Sequence, residues 1–268
     1  MKDPGYPLRV HAQVLGSGSA GNALLVRAGP LHLLVDAGLP LRELRPRLEA
    51  ARLRHAGVDH ILVTHGHLDH ARSAGALAKR HSACVHCPER IMRNRAIRRA
   101  PRMVALRIGT PRELEPLGAG VVYTPVLLPH DCDPTVGYAV EQDGRRLVVL
   151  TDMGRPSEDV ARQLAGAHVL VLEFNHDREM LANGPYSPAL KRRVGGDRGH
   201  LSNEQSARML AWMASERLHT LVLAHLSLHN NTPERALEAA YATLDRLGLS
   251  QVEVLVASQD EPGPNLQV

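Results

Sequence analysis

The sequence predicts a layered α/β protein, with sheets in the middle and helices on their outer faces. Two observations carry this expectation. Short apolar runs alternate with longer segments of helical period along the chain. Several runs are continuous in Val and Leu, such as 147–150 and 169–172, as strands covered on both faces should be. A length of 268 residues with 44% hydrophobic content can bury a sizeable core and excludes a disordered or fibrous chain.

In chain order, strands are expected at 8–15, 23–27 and 31–35, then a helix near 41–54. A strand at 60–64 leads into a helix near 69–80. A strand at 84–86 and a helical pattern near 88–99 follow. The runs 120–128, 136–141 and 145–151 read as strands, with Gln142-Asp143-Gly144 as a hairpin turn between the last two. After them come a helix near 157–165, a strand at 168–172, a helix near 202–216 and a strand at 220–224. The helix near 233–247 starts Asn231-Thr232-Pro233-Glu234, a capping residue followed by Pro at the first helical position. A strand at 252–256 closes the pattern. No linker divides the chain, so 1–256 are expected as one domain and 257–268 as a flexible tail.

Composition narrows the function. No apolar run approaches the roughly 18 residues that span a bilayer, so no membrane partner is expected. The start Met1-Lys2-Asp3-Pro4-Gly5 lacks the apolar stretch of a secretory signal, and three Cys make no disulfide framework. A cytoplasmic protein is the expectation. The chain has 16 His against one Phe, one Trp and five Tyr. Of its 32 basic residues, all but Lys2, Lys79 and Lys191 are Arg. That excess suits either a GC-rich genome or phosphate recognition, since the guanidinium fork matches phosphate oxygens. A net charge of +4 permits a polyanion partner without requiring one.

The densest chemical signal is His65-Gly66-His67-Leu68-Asp69-His70, between the strand 61–64 and a helix. So many imidazoles cannot all be ordinary core residues, because each needs a partner if buried. Imidazole nitrogen and carboxylate oxygen are ligands for Zn²⁺ or Mn²⁺. More candidates come from one repeated device, a buried apolar run ending in one polar residue. Asp36, His130, Asp152, Glu173 and His225 each stand in that place. In α/β sheets, sites gather at the carboxyl ends of strands. Any one such residue can be a cap or turn former, but five beside the His cluster point to a site.

With these residues, the chain resembles the metallo-β-lactamase superfamily. His65-Gly66-His67-Leu68-Asp69-His70 matches its HxHxDH motif, and His130, Asp152 and His225 match its later ligands in order. The resemblance implies an αββα four-layer sandwich with two divalent metal ions per chain, Mn²⁺ or Zn²⁺. One ion would take His65, His67 and His130. The other would take Asp69, His70 and His225, with Asp152 between them. Asp36 looks like the superfamily's structural aspartate. A narrower match lies in Gly16-Ser17-Gly18-Ser19-Ala20-Gly21-Asn22, Glu173-Phe174-Asn175-His176-Asp177, Arg198-Gly199-His200-Leu201-Ser202-Asn203-Glu204 and Asn230-Asn231-Thr232-Pro233. These blocks look like the YycJ/WalJ branch, which is similar to tRNase Z and is associated with 5′-exonuclease action on DNA and with mismatch repair. Phe174 and Ala20 depart from that pattern, where smaller or hydroxylated residues are expected.

The residues themselves fit phosphodiester hydrolysis. Two divalent ions about 3.5–4 Å apart can bridge a water, lower its pKa and clamp a phosphodiester. The leaving oxygen still needs a proton. His200 is the candidate general acid and Glu173 its orienting carboxylate. With Asp69 they make the expected catalytic set. The alternative for His200 is a place in the start of the following helix. Asn175 and His176 are candidate phosphate contacts, as are Ser17, Ser19 and Asn22 of the Gly/Ser loop, which lacks the Lys of a P-loop. Residues 90–112 hold eight Arg and no acid. They form either a solvated face or a track for nucleic acid, and Arg93, Arg95, Arg98 and Arg99 are the candidate contacts. No aromatics interleave them, which disfavours base-specific readout. Cys84-Val85-His86-Cys87 has C-x-x-C spacing with no second pair, so it reads as structural or incidental.

The resemblance to the YycJ/WalJ branch favours DNA over RNA as partner. The rival expectations are an RNA-processing nuclease and a small-ester hydrolase of lactonase or glyoxalase type. The arginine segment disfavours a small neutral ester. A metal-binding regulatory module would show a broken ligand set, whereas all seven positions here are filled.

Overall fold

The first apolar runs pair with one another. In the computed structural model, which describes residues 10–51, 57–116, 119–132 and 134–268, β1 (His11–Gly16), β2 (Ala23–Ala28) and β3 (Leu31–Val35) form an antiparallel meander. After helix α1 (Leu41–Ala50), strand β4 (His60–Leu62) returns parallel to β3. Helices α2 (Leu68–Ala71) and α3 (Ala74–His81) then lead to β5 (Cys84–Cys87), and β6 (Arg102–Ala105) completes this parallel half.

A second sheet follows. β7 (Arg112–Glu113), β8 (Val122–Leu128), β9 (Thr135–Gln142) and β10 (Arg145–Leu150) run antiparallel. Asp143 and Gly144 turn the β9–β10 hairpin with φ of 50° and 76°, the left-handed conformation that a tight two-residue turn needs. Helix α4 (Glu158–Gln163) precedes β11 (Val169–Glu173). Helices α5 (Arg178–Asn183), α6 (Pro188–Val194) and α7 (Asn203–Met213) precede β12 (Thr220–Ala224), and α8 (Pro233–Arg246) precedes β13 (Glu253–Val256). These strands extend the sheet in parallel from β10. β14 (Leu266–Gln267) returns to pair with β1 at the edge of the first sheet. Among the described residues each sheet has seven strands.

Burial divides the side chains into three apolar layers. Val26 and Leu33 of the first sheet pack against Tyr138 and Val149 of the second. Leu44 of α1 and Leu77 of α3 cover the outer face of the first sheet. Val160 of α4, Leu210 of α7 and Leu244 of α8 cover the second. The order is helix, sheet, sheet, helix, which is the expected αββα sandwich. It also explains the unbroken Val/Leu runs of β10 and β11, which are buried on both faces.

Four expectations need correction. Residues 88–99 form no α-helix; a 3₁₀ turn at Glu89–Ile91 gives way to successive turns. Asn94 is the reason, because its side chain accepts from Ala96 N at 2.9 Å and donates to Gly66 O at 3.0 Å, competing with the helical ladder. The helix expected near 69–80 breaks at Ser73, whose N–H and hydroxyl both turn to the 37–39 backbone. Helices α5 and α6 and strands β6 and β7 were absent from the sequence pattern, because they are short and bury few side chains. Finally, 257–268 are not a flexible tail. Leu266 and Val268 are buried, and Gln259 Oε1 accepts from Ala20 N at 2.8 Å. The expected strand start at 8–9 and helix end at 52–54 lie outside the described residues.

Cutting the chain after Ser258 should therefore cost stability. Each buried apolar side chain contributes roughly 1.5–3 kcal/mol, so urea denaturation should show a clear fall in midpoint. An unchanged midpoint would return the segment to a free tail.

Candidate metal centre

The polar residues that end buried strands converge at one end of the sandwich. Asp36 follows β3, His225 follows β12 and Glu173 closes β11. His65, His130 and Asp152 stand two or three residues beyond β4, β8 and β10. Asp36, Asp152 and His225 all take left-handed backbone, with φ of 60°, 61° and 58°. Such non-glycine conformations carry strain of about 1–3 kcal/mol and gather at functional sites. Here the left-handed turn comes directly where the strand ends and the side chain enters the cluster.

His65, His67 and His130 form one donor set, with nitrogens mutually within 4.8 Å; Asp69, His70 and His225 form another whose donor atoms are as close. Asp152 lies between them. Its Oδ1 is 3.8 Å from Nε2 of His130 and 3.8 Å from Nε2 of His225, and its Oδ2 is 3.0 Å from Nε2 of His70.

Four of the imidazoles have their outer nitrogens engaged. His70 Nδ1 donates to Asp36 Oδ2 at 2.7 Å, and His130 Nδ1 donates to Gly199 O at 2.9 Å. His65 Nδ1 donates to Thr64 Oγ1 at 3.0 Å, while that hydroxyl donates to Asp36. His225 Nδ1 reaches Glu173 Oε1 at 3.2 Å. Each of these rings thus presents Nε2 inward with its orientation held from behind, as metal-ligating histidines are held. Nε2 of His65, of His130 and of His225 is buried and finds no hydrogen-bond partner among the described residues. Leaving such groups unpaired costs about 1–3 kcal/mol each. A divalent ion satisfies them, so the donor set fits a metal.

Charge follows the same plan. Burial pushes the His65 and His130 imidazoles below their ordinary value, keeping them neutral donors. Burial also opposes charge on His225 and His70. The carboxylates outweigh it, with Asp152 foremost, raising His225 to about 10 and His70 well above its ordinary value. Asp152 is held well below the usual carboxylate range, because His225 and His70 outweigh its burial. The pocket draws positive charge.

His200 lies beside this cluster, with Nδ1 2.8 Å from Glu173 Oε1 and its side chain 20% exposed. Glu173 is fully buried, and its Oε2 accepts from Met153 N at 3.0 Å and Leu201 N at 3.1 Å. The charge and hydrogen bond of His200, with the hydrogen bond of His225, overcome burial and bring Glu173 down to about 2.

Some candidates have other work. Ser17 Oγ accepts from His225 N at 2.8 Å and donates to Asn22 Oδ1 at 3.1 Å. Asn22 Nδ2 is 3.1 Å from His70 Nε2. Asn175 Nδ2 donates to His225 O at 2.8 Å. All three are buried braces of the centre, while Ser19 is exposed. His176 is buried and bridges to Ser202. Arg93, Arg95, Arg98 and Arg99 are exposed. The Asn94 bond to Gly66 O fixes their segment against the His-rich loop.

The sequence pattern missed Thr64, Gly199 and Asp131. Asp131 Oδ1 is 3.2 Å from His130 Nε2 and 3.5 Å from His67 Nε2, and its Oδ2 accepts from Arg193 at 2.6 Å. Its place next to His130 was the available signal.

Fold and site together define a metal-dependent hydrolase. Residues 32–225 match the family model described as the beta-lactamase superfamily domain. The chain is 32% identical over 262 residues to the protein named exodeoxyribonuclease YycJ of Bacillus anthracis, covering 94% of this chain and 96% of that one. It is 30% identical over 228 residues to exodeoxyribonuclease WalJ of Streptococcus pneumoniae, covering 83% and 84%. In fold it is similar to the metallo-beta-lactamase fold protein YhfI from Bacillus subtilis, with TM-score 0.71, 17% identity and 97% and 100% of the two chains covered. The chain belongs to the metallo-β-lactamase superfamily, in its YycJ/WalJ branch.

Asp36 touches His70 and Thr64 without belonging to either donor set. Asp36→Asn should lower divalent-ion affinity about 10–100-fold, read by isothermal titration with Mn²⁺. Wild-type affinity in the variant would mean that the imidazoles need no such support.

Proposed function

We propose that the protein is a 5′-to-3′ DNA exonuclease of the cytoplasm, acting in mismatch-type DNA repair with two divalent ions, Mn²⁺ or Zn²⁺, per chain. The observation that carries phosphodiester cleavage is the His200–Glu173 pair beside the donor cluster. Ion ligands alone serve many hydrolases, whereas an alkoxide leaving group also needs a proton donor. DNA as substrate is supported by relatives that are named exodeoxyribonucleases and align along nearly the whole chain. Polarity and the repair role rest on the likeness of the Gly16–Asn22 and Arg198–Glu204 blocks to the branch. No helix among the described residues is long and apolar enough to cross a membrane.

His65, His67 and His130 would hold one ion, Asp69, His70 and His225 the other, and Asp152 would touch both. When bound, such ions supply Lewis-acid activation of a phosphodiester and of the water that attacks it. Asp69 would take part through this ligation; His225 and His70 outweigh its burial and hold its carboxyl far below the usual range, which makes it a weak proton acceptor. Glu173 accepts from His200 Nδ1–H, which orients the ring; acting as an acid, His200 would carry a proton on both nitrogens and would hand over the one on Nε2. The same Glu173 oxygen holds His225, so the acid and the ligand cluster share one buried anchor. Arg93, Arg95, Arg98 and Arg99 make no ion pair among the described residues and are free to meet phosphates.

Digestion of 5′- and 3′-labelled DNA and RNA with Mn²⁺ or Zn²⁺ tests the proposal. Mononucleotide release from the 5′ end of DNA is expected, and preference for RNA or for a small ester overturns it. His200→Ala should slow DNA cleavage by about 10²–10⁴ while ion binding persists, with a much smaller loss on a nitrophenyl phosphodiester, whose leaving group needs no proton. Equal losses on both would make His200 a binding residue. Replacing the four arginines with Ala should reduce the slope of log affinity against log salt, by about 0.9 for each duplex phosphate no longer neutralised. An unchanged slope would make the segment a solvated face.

A further inference from the structure

The C-x-x-C segment resolves into something other than a cysteine pair. Successive residues of β5 point to opposite faces. Cys87 and Val85 enter the outer layer under α3, while Cys84 and His86 share the other face. The register of β4 sets His60 opposite Cys84. His60, Cys84 and His86 therefore form a buried triad, one donor atom of each lying within 4.8 Å of the others. It lies at the start of β4, five residues before His65, roughly 16 Å along an extended chain.

The outer nitrogens are held as a metal site requires. His60 Nε2 lies 2.8 Å from Glu115 O, and His86 Nδ1 lies 3.0 Å from Tyr123 Oη. A carbonyl can only accept, so His60 carries its proton on Nε2 and its Nδ1 is a lone pair aimed at His86 Nε2, 2.9 Å away. A ligating histidine is held in this way by an acceptor behind it.

We propose that His60, Cys84 and His86 form a separate site for one Zn²⁺ ion, distinct from the centre at the strand ends. One thiolate and two imidazoles are a donor set that zinc takes, and three protein ligands leave its fourth position open. Metal-free, a single proton sits between the imidazoles. On binding, His86 moves its proton from Nε2 to Nδ1 and donates to Tyr123, whose hydroxyl turns away. Cys84 releases one proton to solvent. Nitrogens at about 2.0–2.1 Å from a tetrahedral ion are about 3.3 Å apart, so the two rings separate by only a few tenths of an ångström. Burial keeps both imidazoles below their ordinary value, and hence neutral, with His86 at about 3. Burial raises the Cys84 thiol, so the ion itself must displace that proton.

Cobalt, which takes zinc sites and reports thiolate ligation by a near-ultraviolet charge-transfer band, tests the proposal. The ligand set at the strand ends contains no thiolate. Titration of the full-length protein with Co²⁺ should produce the band with the intensity of one sulfur. Cys84→Ala should abolish it, and so should Cys84→Ser, which preserves volume if the alanine variant fails to fold. Cys87→Ala and Cys132→Ala should retain it; Cys132 lies near the other centre and controls for a stray ligand there. Absence of the band from wild-type protein at saturating Co²⁺ overturns the proposal. So does a band that survives loss of Cys84 or disappears with Cys132. DNA cleavage enters none of these outcomes.

Discussion

Buried imidazole nitrogens and carboxylates crowded together, several with no hydrogen-bond partner among the described residues, are the constraint on which the molecule depends. Removing polar groups from water without a compensating bond costs more than the ordinary margin for one interaction, and this centre repeats that cost at His65, His130 and His225. A sequence can hold such a cluster only if the rest of the fold is rigid. The three apolar layers supply that rigidity, since every strand that delivers a site residue is clamped between an inner and an outer core. Left-handed residues at Asp36, Asp152 and His225 are the local expression of the same tension.

Two outer carboxylates divide the work of holding the cluster. Asp36 orders the first sheet's half through His70 and Thr64. Glu173 orders the second sheet's half through His225, His200 and two backbone N–H groups. Asp152 lies where the halves meet. The arrangement ties the donor cluster to His200 in the second half, because His225 and His200 lean on the same oxygen. The His-rich loop and the arginine segment are tied in turn by Asn94, at a point where Gly66 is tightly approached: a Cβ there would sit 3.2 Å from Ile91 Cγ2 and 3.3 Å from Asn94 Nδ2, so these side chains would have to give by a few tenths of an ångström.

Much of this was legible in the residues because the signals are local. The Val/Leu runs announce doubly covered strands, and the polar residue after each run announces the site. HGHLDH carries several candidate donors in one turn. The Asp143-Gly144 turn and the Thr232-Pro233 cap need only their own neighbours, and both occur as expected. What stayed hidden depends on partners distant in sequence. The arginine segment has helical composition, yet Asn94 spends its amide on Gly66 and stops the helix. Residues 257–268 look like a tail until Leu266 meets Ala12. Ser17 and Asn22 read as phosphate contacts because a Gly/Ser loop usually presents its hydroxyls outward, and here they turn in toward His225 and His70. Thr64 and Asp131 carry no motif; only the folded chain shows them touching the imidazoles. The Cys84–His86 face becomes visible only when β4 sets His60 beside it.

If the strand-end cluster is a two-ion centre bridged by Asp152, crystals grown with Mn²⁺ should reveal it by anomalous diffraction collected on both sides of the manganese edge. Two manganese peaks are expected, one against His65, His67 and His130 and one against Asp69, His70 and His225, with Asp152 between them. A single peak, or peaks that leave Asp152 untouched, would contradict the two-ion centre.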